Sequence, residues 1–267
     1  MERNLALHVR TVEQAMKVVA VISPKGGVGK TTLSVNLACA LAGNGLAVRM
    51  VDLDPQNAVR LHLGAELDDA NGHIHQTLRQ SNWYFTEYDS AYGVSFIPYG
   101  KASEGERIAL EAHLAQTPQW LHDNLLALGH DPDGITIVDT PPGPSVYAQQ
   151  VLSIANLVLV VMIPDAGSYA TLNSIEEMLD YYCAGRRDYY GSYYLLNQFD
   201  AHRPLNLDIQ SVMQDALGGR LAPCPIRRDE CLSEALAFQQ PVHSYAPYSQ
   251  AVDDLKRVSA WLLAGCR

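Results

Sequence analysis

Short apolar runs alternate with amphipathic stretches along most of the chain. The runs predict strands at 18–22, 46–51, 94–98, 134–139, 157–163 and 193–198. The stretches between them predict helices at 32–42, 103–128 and 168–182, the last with Ser168 as N-cap, and a terminal helix with Ala251, Leu255, Val258 and Leu262 on one face. Continuous apolar strands are typical of parallel sheets covered on both faces. The pattern therefore predicts an α/β fold: a doubly wound, mostly parallel sheet with helices on both faces, in a single domain at 17–267 that follows an N-terminal extension at 1–16.

The first predicted strand leads through a glycine-rich loop, residues 23–29, and through Lys30-Thr31 into the helix predicted at 32–42. Glycines let the backbone approach a ligand, and the N–H groups at the start of the helix favour an anion. Lys30 is placed to reach the β and γ phosphates of a nucleotide, and the Thr31 hydroxyl to coordinate Mg²⁺. Pro24 replaces the first glycine of the ordinary Gly-x-x-x-x-Gly-Lys-Thr motif, and Lys25 adds a second lysine. The loop predicts a polyphosphate and magnesium site.

Two further predicted strands end in aspartates. Asp52 and Asp54 follow the second strand, and Asp139 ends the strand at 134–139, before a Thr-Pro-Pro-Gly turn. Ligands of α/β sheets gather at the carboxyl ends of the strands. An aspartate at position 139 can hold a water of the Mg²⁺ shell. For Asp52 and Asp54, the alternative is that they cap the next helix.

The string Lys-Gly-Gly-Val-Gly-Lys-Thr-Thr, residues 25–32, resembles the deviant Walker A box of the MinD/ParA branch of P-loop ATPases. The resemblance implies ATP and Mg²⁺ as cofactors and a homodimer that forms on ATP binding. In that dimer Lys25 would contact the partner's phosphates, and Lys30 those of its own subunit. Asp54 lies in an Asp-Pro-Gln segment similar to switch I and would position the attacking water, while Asp52 is a magnesium-shell or structural acid.

The same resemblance assigns the remaining nucleotide contacts. The segment that begins at Asp139 resembles switch II, and Asn197, at a strand end, would read adenine, although an asparagine that closes a turn is the alternative. A proline-led loop with Pro225 and Arg227 would cover the base. The predicted catalytic residues are Lys25, Lys30 and Asp54. The predicted nucleotide-binding residues are Gly26, Gly27, Val28, Gly29, Lys30, Thr31, Thr32, Asp139, Asn197, Pro225 and Arg227, and the metal site is Thr31 with Asp52 and Asp139 as possible second-shell groups.

Four segments resemble the BcsQ family more closely, the ATPases of bacterial cellulose-synthesis operons. They are residues 57–61, 227–230, 237–242 and the terminal helix with Trp261. This resemblance implies that the partners are other protein components of a cellulose synthase complex. The loop of the most familiar members is degraded, whereas the string at 25–32 is intact here, which favours hydrolysis in this chain.

Charge and cysteine content limit the possible partners and compartment. Lys and Arg number 19 against 29 Asp and Glu, and the formal charge of −10 argues against a broad electrostatic grip on DNA or on an anionic membrane. Five cysteines without a Cys-x-x-Cys pair fit a reducing cytosol. The sequence has neither a secretory signal nor an apolar run long enough to span a bilayer. We therefore expect a cytoplasmic protein that partners recruit to the inner membrane.

Three further features of the sequence each allow a functional interpretation beside an ordinary structural one. His73 and His75 could present two imidazoles on a strand edge, but a third metal ligand is missing nearby. The terminal helix could be a MinD-like membrane anchor, although packing onto the sheet is favoured because Asp253 and Asp254 offset its basic residues. Six tyrosines between 181 and 194 could form a binding face, or belong to a strand and a wet loop.

The sequence leaves three functions open. The first is an ATP-dependent dimerisation switch for cellulose synthesis and secretion. The second is a partition ATPase that binds DNA without sequence preference. The third is an ATP-bound scaffold that never hydrolyses its nucleotide. The acidic charge favours the first function over the second, and phosphate release separates both from the third.

Overall fold

The computed structural model describes residues 16–66 and 68–265, so nearly all of the expected N-terminal extension lies outside it. Within these residues, seven strands form one sheet in the order β3-β4-β2-β5-β1-β6-β7, and all neighbouring pairs are parallel except β3 with β4. The strands are β1 (Lys17–Ile22), β2 (Val48–Asp52), β3 (Tyr88–Asp89), β4 (Val94–Ile97), β5 (Ile135–Asp139), β6 (Leu157–Met162) and β7 (Gly191–Leu196). The predicted doubly wound sheet is confirmed.

Helices cover both faces of this sheet. They are α1 (Lys30–Ala42), α2 (Val59–His62), α3 (His73–Leu78), α4 (Glu104–Gln116), α5 (Trp120–Leu128), α6 (Val146–Leu152), α7 (Ala166–Ala170), α8 (Leu172–Cys183), α9 (Pro204–Leu217), α10 (Cys231–Ala237), α11 (Val242–Tyr245) and α12 (Gln250–Gly265). Two single 3₁₀ turns, Tyr84–Thr86 and Gly218–Arg220, complete the regular structure of the described residues.

The central strands are apolar on both faces because each face packs against helices. Along β1, Val18, Ala20 and Ile22 join the core under α3 to α6, α8 and α9, whereas Val19 and Val21 join the core under α1, α2 and α10 to α12. This arrangement explains why the strands read as continuous apolar runs. It also leaves the carboxyl ends of the strands, with the loops that follow them, as one connected edge.

One predicted helix is two helices. The stretch predicted to be helical at 103–128 divides into α4 and α5, separated by residues 117–119. Pro118 lies in this break, and proline has no N–H to continue a helical ladder. The predicted start is right, because Ser103 caps α4 in a capping box with Glu106.

The predicted N-cap at Ser168 is wrong. Asp165 is the N-cap of α7, since its Oδ1 accepts a hydrogen bond of 2.7 Å from the Ser168 N–H. The helix then breaks at Thr171 before α8 begins. The error arose because an aspartate three residues earlier offers a stronger acceptor for the same backbone group.

The terminal helix packs onto the sheet, which is the alternative that the sequence favours. Ala251, Leu255, Val258 and Leu262 are all buried, and α12 lies against α1. The tyrosine-rich stretch divides between two environments: Tyr181 is exposed at the end of α8, whereas Tyr194 is buried in β7. The burial of its apolar face accounts for the pattern of α12 without a membrane contact.

Candidate functional site

The glycine-rich loop has the backbone geometry that its sequence predicts. Gly27 and Gly29 have φ angles of 77° and 82°, in the left-handed region that side chains rarely adopt. A Cβ atom at Gly29 would also lie 2.5 Å from Asn197 Nδ2. Gly29 therefore stands where both the backbone angle and the packing exclude a side chain, at the N-cap of α1.

Lys30, Thr31 and Asp139 converge beneath this loop. Lys30 Nζ lies 2.9 Å from Asp139 Oδ1, and the Thr31 hydroxyl donates a hydrogen bond of 2.6 Å to Asp139 Oδ2. Ser34, one turn further along α1, donates to Asp139 Oδ1 at 2.9 Å. Asp139 is fully buried and Lys30 is only 6% exposed. The lysine and the hydroxyl predicted to bind phosphate and magnesium thus share one buried carboxylate.

Asp52 is a structural acid in this arrangement. Its Oδ1 accepts from the Asp54 N–H and its Oδ2 from the Val59 N–H, each at 3.0 Å, so it holds both ends of the segment after β2. Its side chain is fully buried. Burial, followed by the charge of Asp139, raises the pKa of Asp52 well above its ordinary value. In this conformation Asp52 supports the segment after β2, and a magnesium-shell role for Asp52 stays a prediction.

Asp54 lies beside the buried carboxylates of Asp52 and Asp139. It is 8% exposed, and its Oδ1 accepts a hydrogen bond of 2.9 Å from the Gln56 N–H. Burial raises the pKa of Asp54, while the Gln56 N–H and the charge of Lys30 act in the opposite direction. Asn57, three residues on, has a left-handed φ of 52° and a buried amide without a partner. The segment from 54 to 57 is tightly turned next to Lys30.

Lys25 lies outside this buried cluster. Its Nζ contacts Asp165 Oδ2 at 2.6 Å, and the two side chains are 35% and 38% exposed. Burial acts to raise the pKa of Asp165, but hydrogen bonds from Lys25 and Ser168 outweigh it and leave this pKa below its ordinary value. The sequence reasoning missed Asp165. The signal was available, since Asp165 follows β6 as Asp54 follows β2.

Asn197 and Gln198 connect the end of β7 to the glycine-rich loop. Asn197 Nδ2 donates to the Val28 carbonyl at 2.7 Å, and Gln198 Nε2 donates to the Gly27 carbonyl at 3.2 Å. Asn197 Oδ1 is buried without a partner. The amide thus supports the loop with its nitrogen and keeps an acceptor for a further group. Gln198 was not predicted.

A groove of about 340 Å³ lies beside Asn197, between the start of α1 and the loop that leads into α10. Arg227 lines this groove, and Pro225 is not among its lining residues. The Arg227 guanidinium donates to both carboxylate oxygens of Asp254, each at 2.8 Å. In this structure the Arg227 side chain therefore fixes the loop to α12. A nucleotide contact by Pro225 or Arg227 stays a prediction.

The residues present fit a magnesium-bound nucleoside triphosphate. The loop offers two glycines in the left-handed region, a buried lysine and a threonine hydroxyl, and such groups hold phosphates and Mg²⁺. The unpartnered Asn197 Oδ1 beside the 340 Å³ groove adds an acceptor for the exocyclic amine of a base. Gly26, Val28 and Thr32 lie along the same loop and first helical turn.

His73 and His75 belong to no group of three or more potential metal ligands in the described part of the chain. His73 and His75 lie on helix α3 and not on a strand edge. His73 is fully buried, its Nε2 lies 2.9 Å from the Asp52 carbonyl, and its ring packs against Trp83. His73 therefore supports the strand end that carries Asp52.

His73 should make stability depend on pH. Burial lowers the pKa of His73 to about 3, so the unfolded chain, with an ordinary histidine pKa, binds the proton more readily. The contribution of neutral His73 to the free energy of unfolding is therefore complete above about pH 6.5 and is lost as the pH falls towards 3. At pH 5 the loss is about 2 kcal/mol. In urea titrations, His73→Phe should be less stable than wild type at pH 7.5, and this deficit should shrink by about 2 kcal/mol at pH 5. A deficit equal at both pH values would contradict this role; His113→Phe, at an exposed position, is the matched control.

Comparisons with known proteins find relatives that match most of the chain. The chain is 28% identical to the virulence plasmid ParA family protein pGP5-D of Chlamydia psittaci over 249 residues, which cover 90% of this chain and 92% of that protein. It is 24% identical to the cellulose biosynthesis protein BcsQ of Salmonella typhimurium, with 93% and 94% covered. Its fold matches the septum site-determining protein MinD from Pyrococcus horikoshii, complexed with Mg-ADP, with a TM-score of 0.77, 22% identity and 94% and 98% coverage.

The strand order, the glycine-rich loop after β1 and the acids at the strand ends define a P-loop protein with the MinD/ParA fold. A model of one family in this class matches residues 16–263, almost the whole described range. The chain belongs to the family of the cellulose biosynthesis protein BcsQ. In the part of the chain that the structure describes, no helix combines the length and apolarity needed to cross a bilayer.

Proposed function

We propose that this protein is an ATP-dependent dimerisation switch that binds Mg-ATP, hydrolyses it slowly and supports the cellulose synthesis and secretion machinery. The observation that carries the proposal is the unequal placement of the two loop lysines. Lys30 is buried against Asp139, whereas Lys25 is about one-third exposed on the rim and can leave Asp165 for a group outside its own subunit. A lysine held this way suits a contact across a dimer.

Within one subunit, each group has a distinct task. The backbone of 26–29 and Lys30 would hold the phosphates, Thr31 would bind Mg²⁺, and Asp139 would hold a water of its shell. Lys30 would exchange Asp139 for the phosphates, whereas the Thr31 hydroxyl can bind Mg²⁺ through its oxygen while its hydrogen still donates to Asp139, so nucleotide binding would rearrange the partners of Asp139. The bound Mg-ATP would supply the reactive phosphoanhydride bond, and the chain would supply its binding and a positioned water.

The family assignment supports the cellulose pathway. Partners would be other protein components of a cellulose synthase complex, which would recruit this cytoplasmic protein to the inner membrane. The ParA relative from Chlamydia psittaci supports a second candidate, a partition ATPase that binds DNA. The net charge of −10 weakens that candidate, because non-specific DNA binding depends on neutralising phosphates with lysine and arginine.

Asp54→Ala tests the hydrolytic step. The carboxylate lies beside the phosphate loop and Lys30, where it can orient a water for attack on the γ phosphate. The variant should bind ATP and dimerise like wild type, and steady-state phosphate release should fall at least about tenfold. Asp133→Ala, at an exposed position, controls for the loss of a carboxylate. Unchanged phosphate release would remove Asp54 from the mechanism.

The same assay separates a switch from a scaffold. Wild type should release phosphate above the background of a Lys30→Ala variant. If both release phosphate at the same rate, the protein would be an ATP-bound scaffold without turnover, and the proposed hydrolysis would be wrong.

Asp165→Asn tests whether Asp165 restrains Lys25 in the free subunit. Asparagine keeps an oxygen that can cap α7 but removes the charge that pairs with Lys25. Exposed ion pairs contribute up to about 1 kcal/mol each, and a symmetric dimer would break two of them, so dimerisation should reach its midpoint at up to about 30-fold lower protein concentration in saturating Mg-ATP. Sedimentation equilibrium measures this midpoint. Asp188→Asn, which breaks the exposed pair with Arg186, should leave it unchanged, and an unchanged or higher midpoint for Asp165→Asn would argue against the restraint.

A further inference from the structure

The peptide bond between Asp52 and Leu53 is held at both of its polar ends. Its carbonyl oxygen lies 2.9 Å from Nε2 of His73, and its N–H donates to the Asp139 carbonyl at 2.8 Å. A carbonyl oxygen can only accept a hydrogen bond, so Nε2 of His73 carries the proton and donates it. This peptide unit lies one peptide bond before Asp54, the residue proposed to position the attacking water.

The position of His73 is set by the strand next to β2. His73 begins α3, and its backbone N–H donates to the Pro98 carbonyl at 3.0 Å, directly after the end of β4. Gly72 packs so closely on this segment that a Cβ atom on it would lie 2.2 Å from the Gly100 nitrogen. Because β4 pairs with β2, these contacts place the imidazole beside the end of β2.

Three aromatic rings surround the imidazole. Its centroid lies 4.9 Å from that of Trp83, 5.0 Å from that of Tyr99 and 5.6 Å from that of Trp120. Both tryptophan N–H groups donate to the Thr77 hydroxyl, at 3.2 and 3.3 Å, so these two rings are oriented as well. His73 is fully buried, and within the described residues its Nδ1 has no partner. Packing and the hydrogen bond of Nε2 thus fix the same orientation of the ring.

We propose that His73 is a positioning residue for ATP hydrolysis, whose hydrogen bond to the Asp52 carbonyl holds the Asp54 carboxylate where it orients the attacking water. His73 is buried and acts through the backbone, because the Asp52 carboxylate in turn accepts from the Asp54 N–H at 3.0 Å. Misplacement of a reacting group by about 1 Å can cost about 100-fold in rate. This inference rests on the proposed function, since it requires that Asp54 takes part in hydrolysis.

Two substitutions separate the hydrogen bond from the packing of the ring. His73→Phe keeps an aromatic ring and loses the donor, whereas His73→Gln loses the ring and keeps an amide N–H that can reach the carbonyl. In saturating Mg-ATP, His73→Phe should lower steady-state phosphate release at least about fivefold. Its dissociation constant for ATP should stay within about threefold of wild type. His73→Gln should release phosphate within about threefold of wild type.

The double variant with Asp54→Ala tests whether His73 acts through Asp54. If it does, adding His73→Phe to Asp54→Ala should lower phosphate release by less than about twofold further. A general loss of packing would instead lower it by the same factor in both backgrounds. His75→Phe, on the same helix, is the matched control and should turn over ATP like wild type.

The proposal would be overturned by wild-type phosphate release in His73→Phe, by a His73→Gln variant as slow as His73→Phe, or by an equal loss in the Asp54→Ala background. Urea titration checks that each variant is folded. If His73→Phe does not fold, ¹⁵N NMR of histidine-labelled wild type decides, with the His73 signals assigned from their absence in His73→Gln. The Nε2–H tautomer is expected at neutral pH, and the Nδ1–H tautomer would contradict the hydrogen bond.

Failure of the proposed function gives a different result. Asp54→Ala would then release phosphate like wild type, and Asp54 would have no hydrolytic role for His73 to support. Failure of this inference alone would leave Asp54→Ala slow and His73→Phe as fast as wild type.

Discussion

Lys30→Ala is expected to weaken ATP binding by about 30-fold or more. The side chain is 6% exposed and its ammonium group lies within the phosphate loop, 2.9 Å from Asp139. Loss of one partner from a buried, hydrogen-bonded charge pair costs about 2 to 5 kcal/mol, and the contact to the β and γ phosphates should lie in this range. Titration with a fluorescent ATP analogue measures the dissociation constant.

The controls for this variant concern folding. Removal of Lys30 leaves Asp139 buried with Thr31 and Ser34 as its remaining partners, which could destabilise the fold. Lys30→Gln keeps a donor for Asp139 without the charge, so it should fold and still bind ATP poorly. Lys256→Ala, at an exposed position on α12, should bind like wild type. Unchanged affinity in folded Lys30→Gln would mean that the nucleotide lies elsewhere.

Lys25→Ala is expected to bind ATP within about threefold of wild type and to lose ATP-dependent dimerisation. A hydrogen bond to a charged group contributes about 1.5 to 3 kcal/mol, and a symmetric dimer would contain two such contacts. The dimer dissociation constant should therefore rise by about 100-fold or more. Light scattering with Mg-ATP should show wild type at twice the chain mass of 29.3 kDa and the variant at the mass of one chain. An ATP-dependent dimer of Lys25→Ala at low protein concentration would refute the contact across the dimer.

The two lysine predictions differ because the surroundings of the two side chains differ. Lys30 is enclosed by the first turn of α1 and the end of β5, so its loss acts within one subunit. Lys25 is more exposed and pairs with Asp165, which also caps α7. Movement of Lys25 to a partner's phosphate would leave Asp165 without its cation. Dimerisation would then alter the loop before α7 as well as the nucleotide site.

The sheet could be predicted from sequence because its strands are buried on both faces. β6 reads as an unbroken apolar run, and the sequence prediction of 157–163 exceeds the observed strand by one residue. The helix boundaries were harder to predict where local signals compete. Pro118 breaks the stretch between α4 and α5, and Asp165 takes the cap that Ser168 was expected to provide. Both errors concern which of two neighbouring local signals is stronger.

Less of the site could be predicted, because its contacts join residues that are far apart in the chain. The glycine-rich loop and Asp139 stand out as strand-end motifs, and their convergence follows from the parallel sheet. The pairing of Lys25 with Asp165 spans 140 residues, and the Asn197 contact with the loop spans 169. Arg227 lines the groove beside Asn197, but no local pattern shows that its guanidinium is held by Asp254 on α12.

The most direct measurement of the proposed switch is a crystal structure with Mg²⁺ and a non-hydrolysable ATP analogue. We expect a face-to-face dimer in which Lys25 Nζ has left Asp165 and lies about 3 Å from a phosphate oxygen bound by the other subunit. This expectation would be contradicted by a nucleotide-loaded chain, alone or in another assembly, in which Lys25 still contacts Asp165 and no phosphate.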